Sequence, residues 1–426
     1  MGAKSFLPLL AIAAIACSIA SLTRCAIASD CTRDSTGLIP LIDLGPGTYL
    51  GFPGGLYPFG SNQRPEAHTA AGVSIANEIT PLDTLGSPDS NGRIVLISVG
   101  MSNTTQEFQT FLPKANADPR RNPKLLIVDC AVGGQAANVI RNPNAAYWDS
   151  VSTRLSRAGS SRAQVQVVWL KEANASPTGG FPASAESLRA NLATIVRIIE
   201  QKLPNVRLAY LTSRIYAGYA TTTLNPEPYA YESGFAVKWL VESQIRGDSL
   251  NYDPARGPVE APWLSWGPYL WADGMNPRSD GLTWPCSYFA TDGTHPGPGA
   301  RNLVADSLLA FFKSDSTSAP WFVSTVTAVS DPVVAPPRGW ITRAYPVPAS
   351  RILNVEAAYR AGAEASILLY TVSGRLVGSS PLQRLTASTS TARVDVSRLP
   401  SGVYYLQYRD ERGPRDSLGR RIVITR

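Results

Sequence analysis

Histidine is nearly absent from this chain: two occur in 426 residues, His68 and His295. It is the side chain whose charge changes closest to neutral pH, so few candidates exist for a general base. Cysteine is sparse as well, and no two of the five stand at a spacing that suits zinc or a dithiol redox pair. Nothing in the sequence implies a metal or an organic cofactor. Long basic runs are missing too. The net charge of +7 comes mainly from scattered arginines such as Arg120, Arg121, Arg154, Arg157 and Arg189, without the interleaved aromatics that follow a nucleic-acid backbone, which argues against nucleic acid as a partner. With 44% hydrophobic and 17% charged residues, wholesale disorder is excluded.

One long apolar run exists, and it stands at the start. Lys4 precedes the stretch from Phe6 to Ala20, and Ala26-Ile27-Ala28 offers a small-x-small cleavage site before Ser29. Residues 1–28 thus read as a secretory signal, with membrane contact confined to export or to later surface attachment. Cleavage there leaves Cys31, Cys130 and Cys286, an odd number for an oxidising compartment. Cys130 ends an apolar run and suits a buried free thiol, which favours a Cys31 to Cys286 bridge, although sequence alone does not choose the pair.

From Ser29 to Asn91 the chain is rich in Gly and Pro, and its regular elements should be short, packed along the surface of the domain formed by residues 92–322. The pattern then changes. Apolar β-branched runs at 93–99, 124–129, 164–170 and 206–212 alternate with helical patterns at 104–112, 144–157, 183–203 and 229–245, and a final amphipathic helix spans 299–312. Continuously apolar strands alternating with helices mean a parallel sheet covered on both faces, so residues 92–322 are expected to form a three-layer α/β/α sandwich.

Ligands bind such sheets outside the carboxyl ends of the strands. The first strand delivers Ser102 there, the second Gly133-Gly134, and the third Glu172 and Asn174. Before the last helix comes Thr291-Asp292-Gly293-Thr294-His295-Pro296, which fixes an Asp and a His on one short turn. Alone, that turn reads equally as a surface loop with an Asp cap.

Taken in this order, the motifs resemble the SGNH hydrolase superfamily, the GDSL-type esterases and lipases, over roughly residues 93–312, and the resemblance implies a flavodoxin-like fold. It also implies roles: Ser102 as nucleophile, His295 as base, Asp292 as its orienting acid, and Ser102 N–H, Gly134 N–H and the Asn174 carboxamide as oxyanion donors. Two positions depart from the family pattern. Met101 stands where the family has Asp, and Glu172 where it has Gly, either as a substrate contact or as a buried acid paired with Lys171 or an arginine. Trp263, Trp266 and Trp284 crowd a Pro- and Gly-rich stretch directly before the Asp/His turn, where they could roof the site and stack on sugar rings or simply pack the loop down.

Residues 323–343 read as a linker, and 344–426 as short alternating strands of a small all-β sandwich. Tyr345-Pro346-Val347-Pro348, the run Leu369 to Arg375, and Leu399-Pro400-Ser401-Gly402-Val403-Tyr404-Tyr405 resemble the C-terminal sorting domain of the type IX secretion system. That resemblance implies passage through the periplasm, the secretion machinery as a partner, and release or attachment at the cell surface. Together the two resemblances imply a secreted serine esterase acting on an O-acyl ester; the aromatic-rich loop before the Asp/His turn and the secretion favour an ester, preferably acetyl, of a carbohydrate. An inactive carbohydrate-binding protein on the same fold, or a lipid or thioester hydrolase, are the alternatives.

Overall fold

The structure, a computed structural model, describes residue 2 and residues 28–324, 340–358, 365–371, 375–384, 389–410, 413–414 and 420–425. Most of the expected signal segment and of the expected linker lies outside the described residues.

In the first compact unit, which ends at Thr325, the alternating pattern becomes β1 (Ile94–Gly100), α2 (Ser102–Ala117), β2 (Leu125–Asp129), α3 (Ala137–Ile140), α4 (Ala146–Arg157), β3 (Val165–Lys171), α5 (Ala183–Lys202), β4 (Leu208–Leu211), α6 (Tyr229–Arg246), β5 (Trp263–Trp266) and α7 (Pro298–Ser314), preceded by α1 (Glu66–Glu78). The five strands pair in the order β2-β1-β3-β4-β5, every neighbouring pair parallel. This is the flavodoxin-like order, whose switch point lies between β1 and β3. The chain steps one way from β1 to β2 and then back the other way through β3, β4 and β5, and right-handed crossovers running in opposite directions put helices on both faces. Helix α2 packs with α7, and α5 with α6, giving the three layers. All seven residues of both β1 and β3 are buried, as a doubly covered sheet requires.

Two features differ from the sequence reading. Helix α1 runs 13 residues inside the stretch expected to hold only short elements; it lies so close to β5 that a Cβ on Gly72 would stand 2.4 Å from the Trp263 ring. The stretch after α6 holds a fifth strand, β5, rather than only a roofing loop. It completes the sheet edge by pairing Leu208 with Trp263 through Leu211 with Trp266.

The N-terminal segment is stapled down. Cys31 and Cys286 form a disulfide, while Cys130 is free and buried, its thiol pushed up to about 12 mainly by burial and further by the nearby Asp129 carboxylate. Asp273 accepts from Ser35 Oγ, from Thr36 N and Oγ1, and from Gly37 N.

The second unit, described by itself, is all-β. Strands β6 (Trp340–Tyr345), β7 (Ile352–Ala358), β10 (Gln383–Arg384) and β11 (Thr389–Asp395) form one antiparallel sheet. A second is built from β8 (Ala365–Thr371), β9 (Leu376–Pro381), β12 (Gly402–Asp410), β13 (Gly413–Pro414) and β14 (Arg420–Ile424). Leu353, Val355, Ile367, Leu369, Val394, Leu406 and Ile422 form its separate core, so it is a sandwich. Among the described residues no helix is long and apolar enough to cross a membrane.

Candidate active site

Strand β1 ends at Gly100, where any side chain would strike Thr104 and the Lys171 carbonyl, with a Cβ only 2.4 and 2.5 Å away. The tight turn lets α2 begin at once, with Met101 as its N-cap and Ser102 its first residue. A first-turn N–H has no partner within its own helix and sits at the positive end of the helix dipole, so Ser102 brings both a hydroxyl and a free donor to one point.

Ser102 Oγ lies 2.8 Å from His295 Nε2, and His295 Nδ1 lies 2.5 Å from Asp292 Oδ2. An ionised carboxylate only accepts, so the imidazole proton sits on Nδ1 and Nε2 is left to accept from the serine hydroxyl. Burial alone would raise the Asp292 carboxyl; hydrogen bonds from His295 N and Nδ1 and from Thr294 N outweigh it and hold the group below its ordinary value.

The turn carrying this pair is held from beneath. Gly293 has φ +65°, and a Cβ there would stand 2.2 Å from the Tyr219 carbonyl oxygen, so only glycine fits. The Thr294 carbonyl accepts from Asn103 Nδ2 at 2.9 Å and from Arg214 Nη2 at 3.5 Å, and Ser29 N donates to the Thr291 carbonyl. Sequence reasoning had no signal for Asn103 or Arg214, since a polar residue inside a helix or after a strand is ordinary until the fold brings it under the turn.

After β2, Gly134 takes φ +77°, and among the described residues no backbone acceptor takes its N–H. Gly133 faces Ser102, with the two β-carbon positions 3.8 Å apart. After β3, Asn174 Oδ1 accepts from Asn191 Nδ2 at 2.8 Å. The five motif residues Ser102, Gly134, Asn174, Asp292 and His295 therefore lie along the carboxyl edge of β1, β2 and β3 and on the turn before α7.

Four other expected contacts fall elsewhere. Trp263, Trp266 and Trp284 are at most 2% exposed, and their indole N–H groups donate to the carbonyls of His68, Leu56 and Leu270. They pack the interior and offer no face to a sugar. Glu172 is likewise buried, which removes it as a substrate contact, and Lys171 pairs with Glu107 instead. His68, also buried, bonds the Leu264 carbonyl, and burial pulls its imidazole down to about 4.

No curated protein matches the chain. Among solved structures, a Bacillus subtilis protein, YxiM, is 12% identical with a TM-score of 0.30, covering 53% of this chain and 57% of that one. The periplasmic domain of a lipopolysaccharide acetyltransferase from Salmonella ser. Paratyphi A is 11% identical with a TM-score of 0.29, over 58% of this chain and 97% of that one. A salicylyl-acyltransferase from a tetracycline biosynthetic pathway is 14% identical with a TM-score of 0.27, over 52% and 54%. The chain thus spans little more than half the length of two of these three, and at such scores none carries an argument about chemistry. The tail is different: residues 343–425 match the secretion system C-terminal sorting domain family, which marks the chain for type IX secretion to the cell surface or beyond.

Proposed function

We propose that the first unit is a secreted serine esterase of the SGNH type, hydrolysing an O-acyl ester through an acyl-enzyme. The observation that carries this reading is the hydrogen-bonded line Ser102, His295, Asp292 at 2.8 and 2.5 Å, formed by residues 193 and 3 positions apart. A turn that merely capped a helix would have no need to aim its imidazole at a hydroxyl on another element.

The geometry supports the following chemistry. Ser102 Oγ attacks the ester carbonyl carbon while His295 Nε2 takes its proton, and Asp292 stabilises the imidazolium that forms. The carbonyl oxygen gains the negative charge and meets Ser102 N–H, Gly134 N–H and Asn174 Nδ2, donors set before the reaction begins. Collapse of the tetrahedral intermediate breaks the C–O bond, and His295 returns its proton to the departing alkoxide. Water, deprotonated by His295, then attacks the acyl-serine and releases the acid. The substrate class proposed is an acetylated carbohydrate, supported by export to the outside of the envelope; the buried tryptophans contribute nothing to it.

Hydrolysis of p-nitrophenyl acetate and longer acyl esters tests the reading. Ser102→Ala and His295→Ala should each cut kcat on the order of 10⁴-fold or more, with circular dichroism unchanged, and rates should fall as the acyl chain lengthens. A wild type that neither hydrolyses these esters or acetylated polysaccharides nor is labelled at Ser102 by an organophosphonate would overturn it in favour of an inert binding protein, and a preference for long chains would redirect it to lipids.

A further inference from the structure

The oxyanion donor Asn174 does not stand alone. Its side-chain oxygen accepts from Asn191 Nδ2 at 2.8 Å, and the Asn191 oxygen accepts from Arg141 Nη1 at 2.8 Å. Asn191 projects from α5 and is 3% exposed; Arg141 caps the end of the short helix α3 and is exposed as a residue. An amide can be turned end for end, so its direction must come from a neighbour whose role is fixed. Arginine is that neighbour. A guanidinium has only donors, so the end of Asn191 facing Arg141 must be its oxygen. The other end, its NH₂, must then donate to Asn174, and the atom receiving it must be Oδ1. Asn174 Nδ2 is left as the free end, and among the described residues nothing accepts from it.

We propose that Arg141 and Asn191 are positioning residues for the oxyanion hole: a one-way relay, Arg141 to Asn191 to Asn174, that fixes which end of the Asn174 carboxamide faces the reacting oxygen. The inference rests on the esterase reading above. The relay also polarises each successive amide in the sense that strengthens its next donation, because hydrogen bonds in a chain reinforce one another. It gives a buried asparagine on the second layer a chemical consequence at the site, and it explains why a surface arginine reaches into the protein with one N–H.

The discriminating substitution is Asn191→Asp. Aspartate fills the same space and still accepts from Arg141, but its second oxygen also accepts, so Asn174 must turn its NH₂ inward and present Oδ1 to the oxyanion. With p-nitrophenyl acetate, Asn191→Asp should lower kcat at least as much as Asn174→Ala, on the order of 10²-fold or more, with KM within about threefold. It should add almost nothing in an Asn174→Ala background. Arg141→Met should lower kcat roughly three- to tenfold through the lost polarisation, Arg141→Lys should recover most of that, and both effects should vanish in Asn174→Ala. Wild-type kcat in Asn191→Asp, or a loss that persists undiminished when Asn174 is absent, overturns the relay and leaves the esterase reading intact. A wild type without turnover and without labelling at Ser102 overturns both.

Discussion

At the residue scale, Glu172 departs furthest from what its neighbours predict. Its carboxyl is buried one residue before Ala173, whose N–H donates to Oε2 at 3.2 Å, while Oε1 has no hydrogen-bond partner. Burial pushes the group well above its reference value of 4.5, more than the Ala173 hydrogen bond and the charge of Arg214 pull it down. Arg214 is itself buried with Nε and Nη1 unpartnered, and no ion pair joins the two among the described residues. A raised carboxyl keeps its proton to higher pH in the folded chain than in the unfolded one, so its contribution to stability is complete below the unfolded value and is lost as pH rises towards the folded one. Glu172→Gln keeps the shape of the neutral acid and removes that dependence. Thermal unfolding from pH 5 to 9 should therefore show the variant gaining on the wild type as pH rises. An equal slope in both, or a variant weaker at every pH, would mean an ionised Glu172 held by Arg214. The unusual acid was legible from its position in the motif, and its protonation was not, because that depends on burial by elements far away in the chain. The same distinction separates Ser102, Asp292 and His295, whose types the chemistry dictates, from Asn191 and Arg141, which look like any polar helix residues until three elements meet.

At the scale of elements, the site depends on α2 being held where β1 delivers it. Lys171, the last residue of β3, reaches Glu107 on α2 with Nζ at 2.5 and 2.6 Å from its two oxygens, and neither side chain is more than 1% exposed. Burial drags the lysine down to about 8 despite the upward pull of Glu107. Such a pair contributes little over an apolar replacement, but breaking it strands a charge. Lys171→Met should cost about 3–5 kcal/mol of stability in urea unfolding, and Lys171→Met with Glu107→Met should recover most of the loss. A single variant as stable as the wild type would show that Glu107 is neutral without its partner. The strands bearing the site were readable because β1, β2 and β3 are mostly apolar and rich in β-branched residues, interrupted inside only by Ser98 and Gln166. Strand β5 was not: its four residues are half tryptophan, set among prolines and glycines, and only pairing with β4 makes them a strand.

At the scale of the whole molecule, the chain divides into two units with separate hydrophobic cores, as the change in composition after Phe322 suggests. The first core is closed by its own parts: Asn122 N donates to the Phe322 carbonyl and Ser324 N to that of Arg120, so the end of the unit is tied back beside the start of β2. The Cys31 to Cys286 disulfide lies wholly within it too, linking residues 255 apart and constraining most of the unfolded chain of that unit. The residues assigned to the proposed reaction, Ser102, Gly134, Asn174, Asp292 and His295, all lie within the first unit. Sorting and catalysis should then be separable. A fragment of residues 29–324, produced under oxidising conditions, should unfold cooperatively and hydrolyse p-nitrophenyl acetate with kcat within about twofold of the full chain, because domains with their own cores fold as units. The full chain should show an additional unfolding transition that the fragment lacks. A fragment that fails to fold, or that folds but loses turnover, would make the sorting domain part of the enzyme rather than its address.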